Sequence, residues 1–547
     1  MTTDGTTSSL GSRIVRASVV IACAHVLFKL AGLLQAKILG TYLDPRTFEC
    51  AYYVPFQGCI FSLFLIGEKM VGPTFLPVFM RELDTRDERT AWKFVNALMT
   101  LHLIAVLCVV LVLVCFPELF IRLLTAWTPS HSPEKYEAAR HSLRVMAPAL
   151  ICLSLGSTSY MILNGYKRFF LAALGNASFA FCVFFSVLIG MGLFGFDQRT
   201  VVFGVLAGSV AKLATHLVGM TDKLKLFRPS LAWRNPALRS VVLLMLPLVG
   251  GVVFARVRDV FNKIWVFSVL QQDGLIQANS FGGKLYESIG WLVPYTLSIA
   301  IFPFLCELAD RNDHKRMGEL LSGSARMLLS VFVPAALVCV VLARPAVDLI
   351  FRGGKFGDTA VHLTAVSMAC QTLVLPAYAL EYLMMQAFFA ERKMVAITLL
   401  GIASSLLSMV ISYVGLVPLG MRGAWALATV ALGFALARSL KAVVMIAMLK
   451  RNIPFFPPAE TAWFLLRLVM LSALSMAFAY AAVTGCERFV LPGPGRVAML
   501  ARLAAGGMGA AAGFAAGIFL FRVREPREMF RWTLERARGK LARRGTA

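Results

Sequence analysis

The chain has 547 residues, 58% of them hydrophobic and only 15% charged, and a mean hydropathy of +0.74. A water-soluble fold of this length has no way to hide so much apolar surface, which excludes a soluble enzyme or binding domain. The net charge of +25 does not indicate a nucleic-acid binder, because the cations are strung between apolar runs rather than gathered on one basic domain.

A bilayer's hydrocarbon core takes about 20 apolar residues per helix. Runs of that length are predicted at 14–42, 50–79, 94–117, 143–165, 169–194, 200–220, 240–270, 278–305, 325–350, 360–389, 394–417, 423–449, 461–485 and 497–521. These are apolar all round, whereas barrel strands would alternate apolar and polar residues. The expectation is an all-α polytopic membrane protein of about fourteen transmembrane helices, several tilted or kinked at Gly and Pro. The first run is too long for a cleaved signal peptide and reaches Leu39-Gly40-Thr41 without a small-residue cleavage site, so it reads as the first membrane helix.

Lys and Arg near helix ends are retained on the cytoplasmic side. The even-numbered connections carry Arg81, Arg86, Arg89 and Lys93, then Lys167 and Arg168, then Lys223, Lys225, Arg228, Arg234 and Arg239, with Arg311, Lys315, Arg316, Arg392, Lys393, Lys450 and Arg451 following. The odd-numbered connections are poorer, and the seventh, Gln271-Gln272-Asp273-Gly274, has no cation. Both termini are therefore predicted cytoplasmic, and the basic tail from Arg522 is placed to meet anionic headgroups.

The eleven cysteines are scattered, mostly within apolar runs, and the seven histidines form no ligand cluster. With no Walker loop, dinucleotide fingerprint or nucleophile elbow either, no cofactor, metal or enzymatic activity is expected.

Ionisable residues inside the spans are the informative ones, since each is costly in hydrocarbon unless paired or lining a wet cavity. His25 and Lys29 share a face of the first helix, and Glu68 and Lys69 are adjacent in the second. Arg256, Asp259 and Lys263 in the seventh fall within about 60° of one another at 100° per residue, with Arg258 nearly opposite. Lys284 and Glu287 share a face of the eighth. Lys37, Lys212, His216, Arg438 and Lys441 lie closer to predicted helix ends, where such side chains snorkel. With His25 neutral, Lys29, Lys69, Arg256, Arg258, Lys263 and Lys284 face only Glu68, Asp259 and Glu287, an excess that calls for an anionic, phosphorylated substrate. The alternative is a set of internal salt bridges, such as Arg256 with Asp259, that only hold helices together.

Several motifs resemble the MurJ (MviN) family of lipid II flippases, within the superfamily of multidrug, oligosaccharide-lipid and polysaccharide exporters. They are Glu68 followed by Gly72-Pro73-Thr74-Phe75-Leu76-Pro77, Gly283-Lys284-Leu285-Tyr286-Glu287, Ile301-Phe302-Pro303-Phe304-Leu305, Phe351-Arg352-Gly353-Gly354-Lys355-Phe356 and Ala387-Phe388-Phe389-Ala390. The resemblance implies two six-helix lobes (1–230 and 231–455) about a cationic cavity, two further helices (456–521) grooved for a lipid tail, and a basic cytoplasmic tail (522–547). It implies an undecaprenyl-pyrophosphate-linked disaccharide-pentapeptide, lipid II, as substrate, moved between leaflets of a bacterial inner membrane by alternating access. It also implies membrane lipids and cell-wall synthesis proteins as candidate partners. Its cavity arginines are partly absent. His25, Ala31 and Gly32 stand where the family carries two arginines and an Asp, Leu63 and Lys284 stand at two more arginine positions, and Glu49 replaces an Asp. Two other readings follow from these departures: an exporter of another polyprenyl-linked saccharide or a drug, and a transport-inactive membrane assembly partner.

Overall fold

The structure, a computed structural model, describes residues 27–523 and 527 apart from 86, 198, 291 and 494, with the side chains of 247, 248, 289 and 292–300 also outside the description. Helices in chain order are α1 (27–42), α2 (Pro45–Thr85), α3 (Glu88–Cys115), α4 (Pro133–Met146 bent into Ala149–Gly165), α5 (Phe169–Leu193), α6 (Arg199–Val218) and α7 (Pro236–Leu246 bent into Val249–Ser268). They continue with α8 (Leu275–Gly290 and Leu292–Asp310), α9 (His314–Phe351), α10 (Asp358–Ala390), α11 (Met394–Leu416), α12 (Gly423–Leu449), α13 (Pro458–Val490) and α14 (Arg496–Leu520). Among the described residues ten helices are long and apolar enough to cross a membrane, or twelve when each bent pair is one span. The remaining two predicted spans, 14–42 and 278–305, run over residues outside the description.

Helix starts follow local chemistry. Asp44 accepts the Thr47 N–H at 3.1 Å and Asn235 accepts the Ala237 N–H at 2.9 Å, each with Pro at the first helical position, where no N–H is needed. The first half of α2, Phe48–Ile60, is wound in wide i→i+5 turns around Pro55, and its Phe48, Tyr52, Tyr53 and Phe56 rings stack or tilt against one another at 5.5–5.7 Å. The break in α4 falls at Ala147-Pro148, where the proline removes a helical donor.

The chain packs as two compact units, Met1–Gln277 with Gly353–Phe356, and Ala278–Arg352 with Gly357–Ala547. In the first, Phe75 and Phe79 of α2 pack on Trp92, Phe94 and Val95 of α3 and Ile162 and Leu163 of α4. Its polar connections are clamped: Arg168 grips Asp222 with two hydrogen bonds of 2.6 and 2.7 Å, which holds the Asp222 carboxyl below the usual range, and Lys223 bonds Glu88 at 2.6 Å. In the second unit, Leu321, Ala325 and Leu328 of α9 pack on Leu383, Met384 and Phe388 of α10 and Met445 and Leu449 of α12. α13 and α14 approach closely through Gly509 and Gly513. A Cβ at Gly513 would stand 2.9 Å from the Phe478 Cβ, so glycine there lets two backbones pack where lipid supplies no hydrophobic drive. Large side chains such as Leu111, Phe203, Val395 and Trp425 remain more than 60% exposed, the lipid-facing surface expected of membrane helices.

Candidate functional site

The first unit assembles a cationic cluster from α2, α6 and α7. Glu68 is half-buried, and the cations acting on it are Lys212 of α6 first and its neighbour Lys69 second. Lys69 in turn lies in the field of Arg256, Asp259 and Arg258 on α7. Asp259 accepts from Arg258 at 2.6 Å (Nη2) and 3.2 Å (Nε), while Arg256 Nη1 stands 3.7 Å away. Arg258, expected to point away from this face, instead brings its guanidinium to the carboxylate of the next residue. Helical angle sets where a Cβ starts and not where a five-bond side chain ends. Lys263 also acts on Asp259, but it falls in wide i→i+5 turns at Phe261–Trp265 and is itself exposed. Five cations, Lys69, Lys212, Arg256, Arg258 and Lys263, thus act on Asp259 and Glu68.

Lys29 is half-buried on α1. Its helix packs on α5 through Ala31 against Ala177 and Ala180, and Lys29, two residues earlier and about 200° round, faces away from that contact. Among the described residues no ion pair joins it to Asp259 of α7, whose partners are Arg256 and Arg258. His25 lies outside the described residues.

Lys284 and Glu287 belong to the second unit, half-buried one turn apart on α8. The helix is held tightly against α10 by two glycines. A Cβ at Gly282 would lie 2.8 Å from the Met368 backbone N, and one at Gly283 3.1 Å from Gln371 Oε1. Gln371 donates to Asn279 Oδ1 at 3.0 Å and to Ser367 Oγ at 2.8 Å, fixing the register beneath Lys284.

Several residues expected to snorkel do not. Lys212 is 3% exposed, its ammonium 4.4 Å from the Phe64 ring centroid, and His216 is fully buried. Arg438 and Lys441 of α12 both bind the buried Glu381 of α10, Lys441 at 2.7 Å, with Arg438 sandwiched 4.5 Å from Tyr378 and 4.8 Å from Phe434. These helices run longer than the hydrocarbon core and pack on one another, so distance from a predicted end does not give depth. The available signal was Arg438 and Lys441 at i, i+3 in a helix otherwise free of charge between Ala424 and Leu449, with Glu381 the matching carboxylate in α10.

Glu49 is buried and caps α8. Its Oε1 accepts the N–H groups of Gly274 (2.8 Å), Ile276 (2.9 Å) and Gln277 (3.3 Å), satisfying donors with no helical partner. The Gly353-Gly354-Lys355 motif docks on the end of α1. Lys355 N donates to Thr41 O at 2.9 Å, Lys355 Nζ stands 3.4 Å from Asp44, and a Cβ at Gly354 (φ +56°) would overlap Thr41 O.

The family model described as lipid II flippase MurJ matches residues 35–491, most of the chain. The chain belongs to the MurJ family. Among MurJ relatives, a probable lipid II flippase of Bdellovibrio bacteriovorus is 24% identical over 446 residues, covering 81% of this chain and 83% of that one. The lipid II flippase MurJ of Burkholderia cenocepacia is 23% identical over 384 residues, 69% of this chain and 74% of its own length. The fold agrees with a solved MurJ in an inward closed conformation, with a TM-score of 0.69 at 17% identity over 92% of this chain and 99% of that one. It also agrees with an inward-facing multidrug resistance MATE family transporter of the MOP superfamily, TM-score 0.62 at 14% identity over 81% and 94%. This MurJ family member is accordingly a multi-pass membrane transporter and not an enzyme.

Proposed function

We propose that the chain flips lipid II, the undecaprenyl-pyrophosphate-linked disaccharide-pentapeptide, from the inner to the outer leaflet of a bacterial cytoplasmic membrane by alternating access, with both termini cytoplasmic. The carrying observation is the match to the lipid II flippase family over residues 35–491. The charge balance supports it: Lys69, Lys212, Arg256, Arg258 and Lys263 against Asp259 and Glu68 leave the cluster cationic, and a pyrophosphate supplies the missing negative charge with oxygens able to accept from several donors at once. In this reading Arg256 and Lys263, with Lys29, replace the positive charge absent from the first helix, and Lys284 with Glu287 contacts the anionic headgroup. Helices α1–α6 and α7–α12 act as the two lobes, α13 and α14 carry the prenyl chain, and cell-wall synthesis proteins receive the product.

Complementation tests this reading. Expressed in a strain depleted of its own lipid II flippase, the chain restores growth and cell shape. Continued lysis with the protein inserted at normal abundance would overturn the assignment.

A further inference from the structure

His216 on α6 has an unusual pair of neighbours. Nδ1 stands 2.9 Å from the carbonyl oxygen of Gly156 on α4, and Nε2 3.0 Å from that of Ala172 on α5. Both partners are main-chain carbonyls, which only accept. A neutral imidazole carries one N–H, so in that state the lone pair of the other ring nitrogen would face a carbonyl oxygen at contact distance; only the imidazolium donates on both sides. The ring's place is cleared for it: a Cβ at Gly175 would overlap Nε2. The titratable groups beside the ring are Tyr160 of α4, with ring centroids 6.2 Å apart, and Lys212 one turn earlier on α6, on which Glu68 of α2 acts. What α5 presents is the main chain at Ala172 and Gly175.

We propose that His216 is a proton-binding site and that the proton is the ion coupled to transport, an inference that rests on the flippase reading above. The protonated ring ties α4, α5 and α6 together through two donated bonds. A shift of either α4 or α5 that breaks one bond leaves a buried cation beside the Lys212 ammonium with a single acceptor, and the N–H proton then leaves for water. When the helices close again, the bare ring nitrogen takes a proton from water on the side then open. Each cycle thereby moves one proton, with no other bond made or broken, and histidine is the side chain whose ordinary affinity suits exchange near neutral pH.

Two measurements on the full chain in vesicles test this. In nitrogen-15 magnetic resonance of histidine-labelled wild type, His216 is assigned through its contact with the labelled Gly156 carbonyl. It is expected to be doubly protonated at the acidic end of about pH 5 to 8 and to lose a proton within that range. With labelled lipid II, a gradient of one pH unit is expected to shift the steady-state leaflet ratio by up to about tenfold in wild type and to have no effect in His216→Gln. A ring that stays neutral throughout overturns the proposal, as does lipid II movement in wild type that ignores the gradient. Absence of any lipid II movement would count against the flippase reading instead, and the resonance experiment would still decide whether His216 holds a proton.

Discussion

At the α7 cluster, the two arginines have different tasks. Arg258 is hydrogen-bonded to Asp259 at 2.6 Å, the contact expected of a packing residue, whereas Arg256 stands off at 3.7 Å and Lys263 is exposed. Arg256→Gln and Lys263→Gln are therefore expected to weaken lipid II binding by purified protein. Losing one donor to a charged group costs about 1.5–3 kcal/mol, roughly one to two orders of magnitude in Kd. The melting temperature should stay at the wild-type value. Unchanged binding with a lowered melting temperature would make them helix-packing groups. The sequence exposed this set because three charges at i, i+3 and i+7 stand out in an apolar run. It concealed the Glu381–Arg438–Lys441 pairing, since a contact between helices leaves no mark in the spacing within either one.

The positions of the described helices were legible because hydrocarbon thickness imposes a minimum apolar length. Their ends were not. α3 begins at Glu88 rather than 94 and α9 at His314 rather than 325, because their first turns carry charge beyond the apolar run while continuing the same backbone hydrogen bonding. The π turns in α2 and α7 were equally invisible, being set by packing around Pro55 and at Phe261–Trp265. Orientation is testable at the connections. Gly274 is a poor place for a reporter, since its φ of +90° favours glycine and a Cβ there would stand 3.3 Å from the Pro45 Cβ. Gln272 and Lys315 are both exposed. With Cys108 and Cys115, the exposed native thiols among the described residues, replaced, Gln272→Cys is expected to react with a membrane-impermeant reagent from outside intact cells and Lys315→Cys only after lysis. The reverse pattern would invert the topology and the direction of transport.

For the molecule as a whole, family membership rests on the length of the match, residues 35–491, while the proposed headgroup contacts rest on the chemistry of individual side chains. A guanidinium binds phosphate through a planar fork and an ammonium as a point charge, so Lys284 offers a headgroup charge without a fork. Its seat is firm, because Gly282 and Gly283 press α8 against α10 beneath it. The most direct measurement is lipid II translocation across vesicles holding the purified chain. The wild type is expected to carry labelled lipid II between leaflets, Lys284→Arg to retain part of the rate, and Lys284→Ala to lose it while remaining folded and inserted. Wild-type vesicles in which lipid II crosses no faster than in protein-free ones would contradict the account.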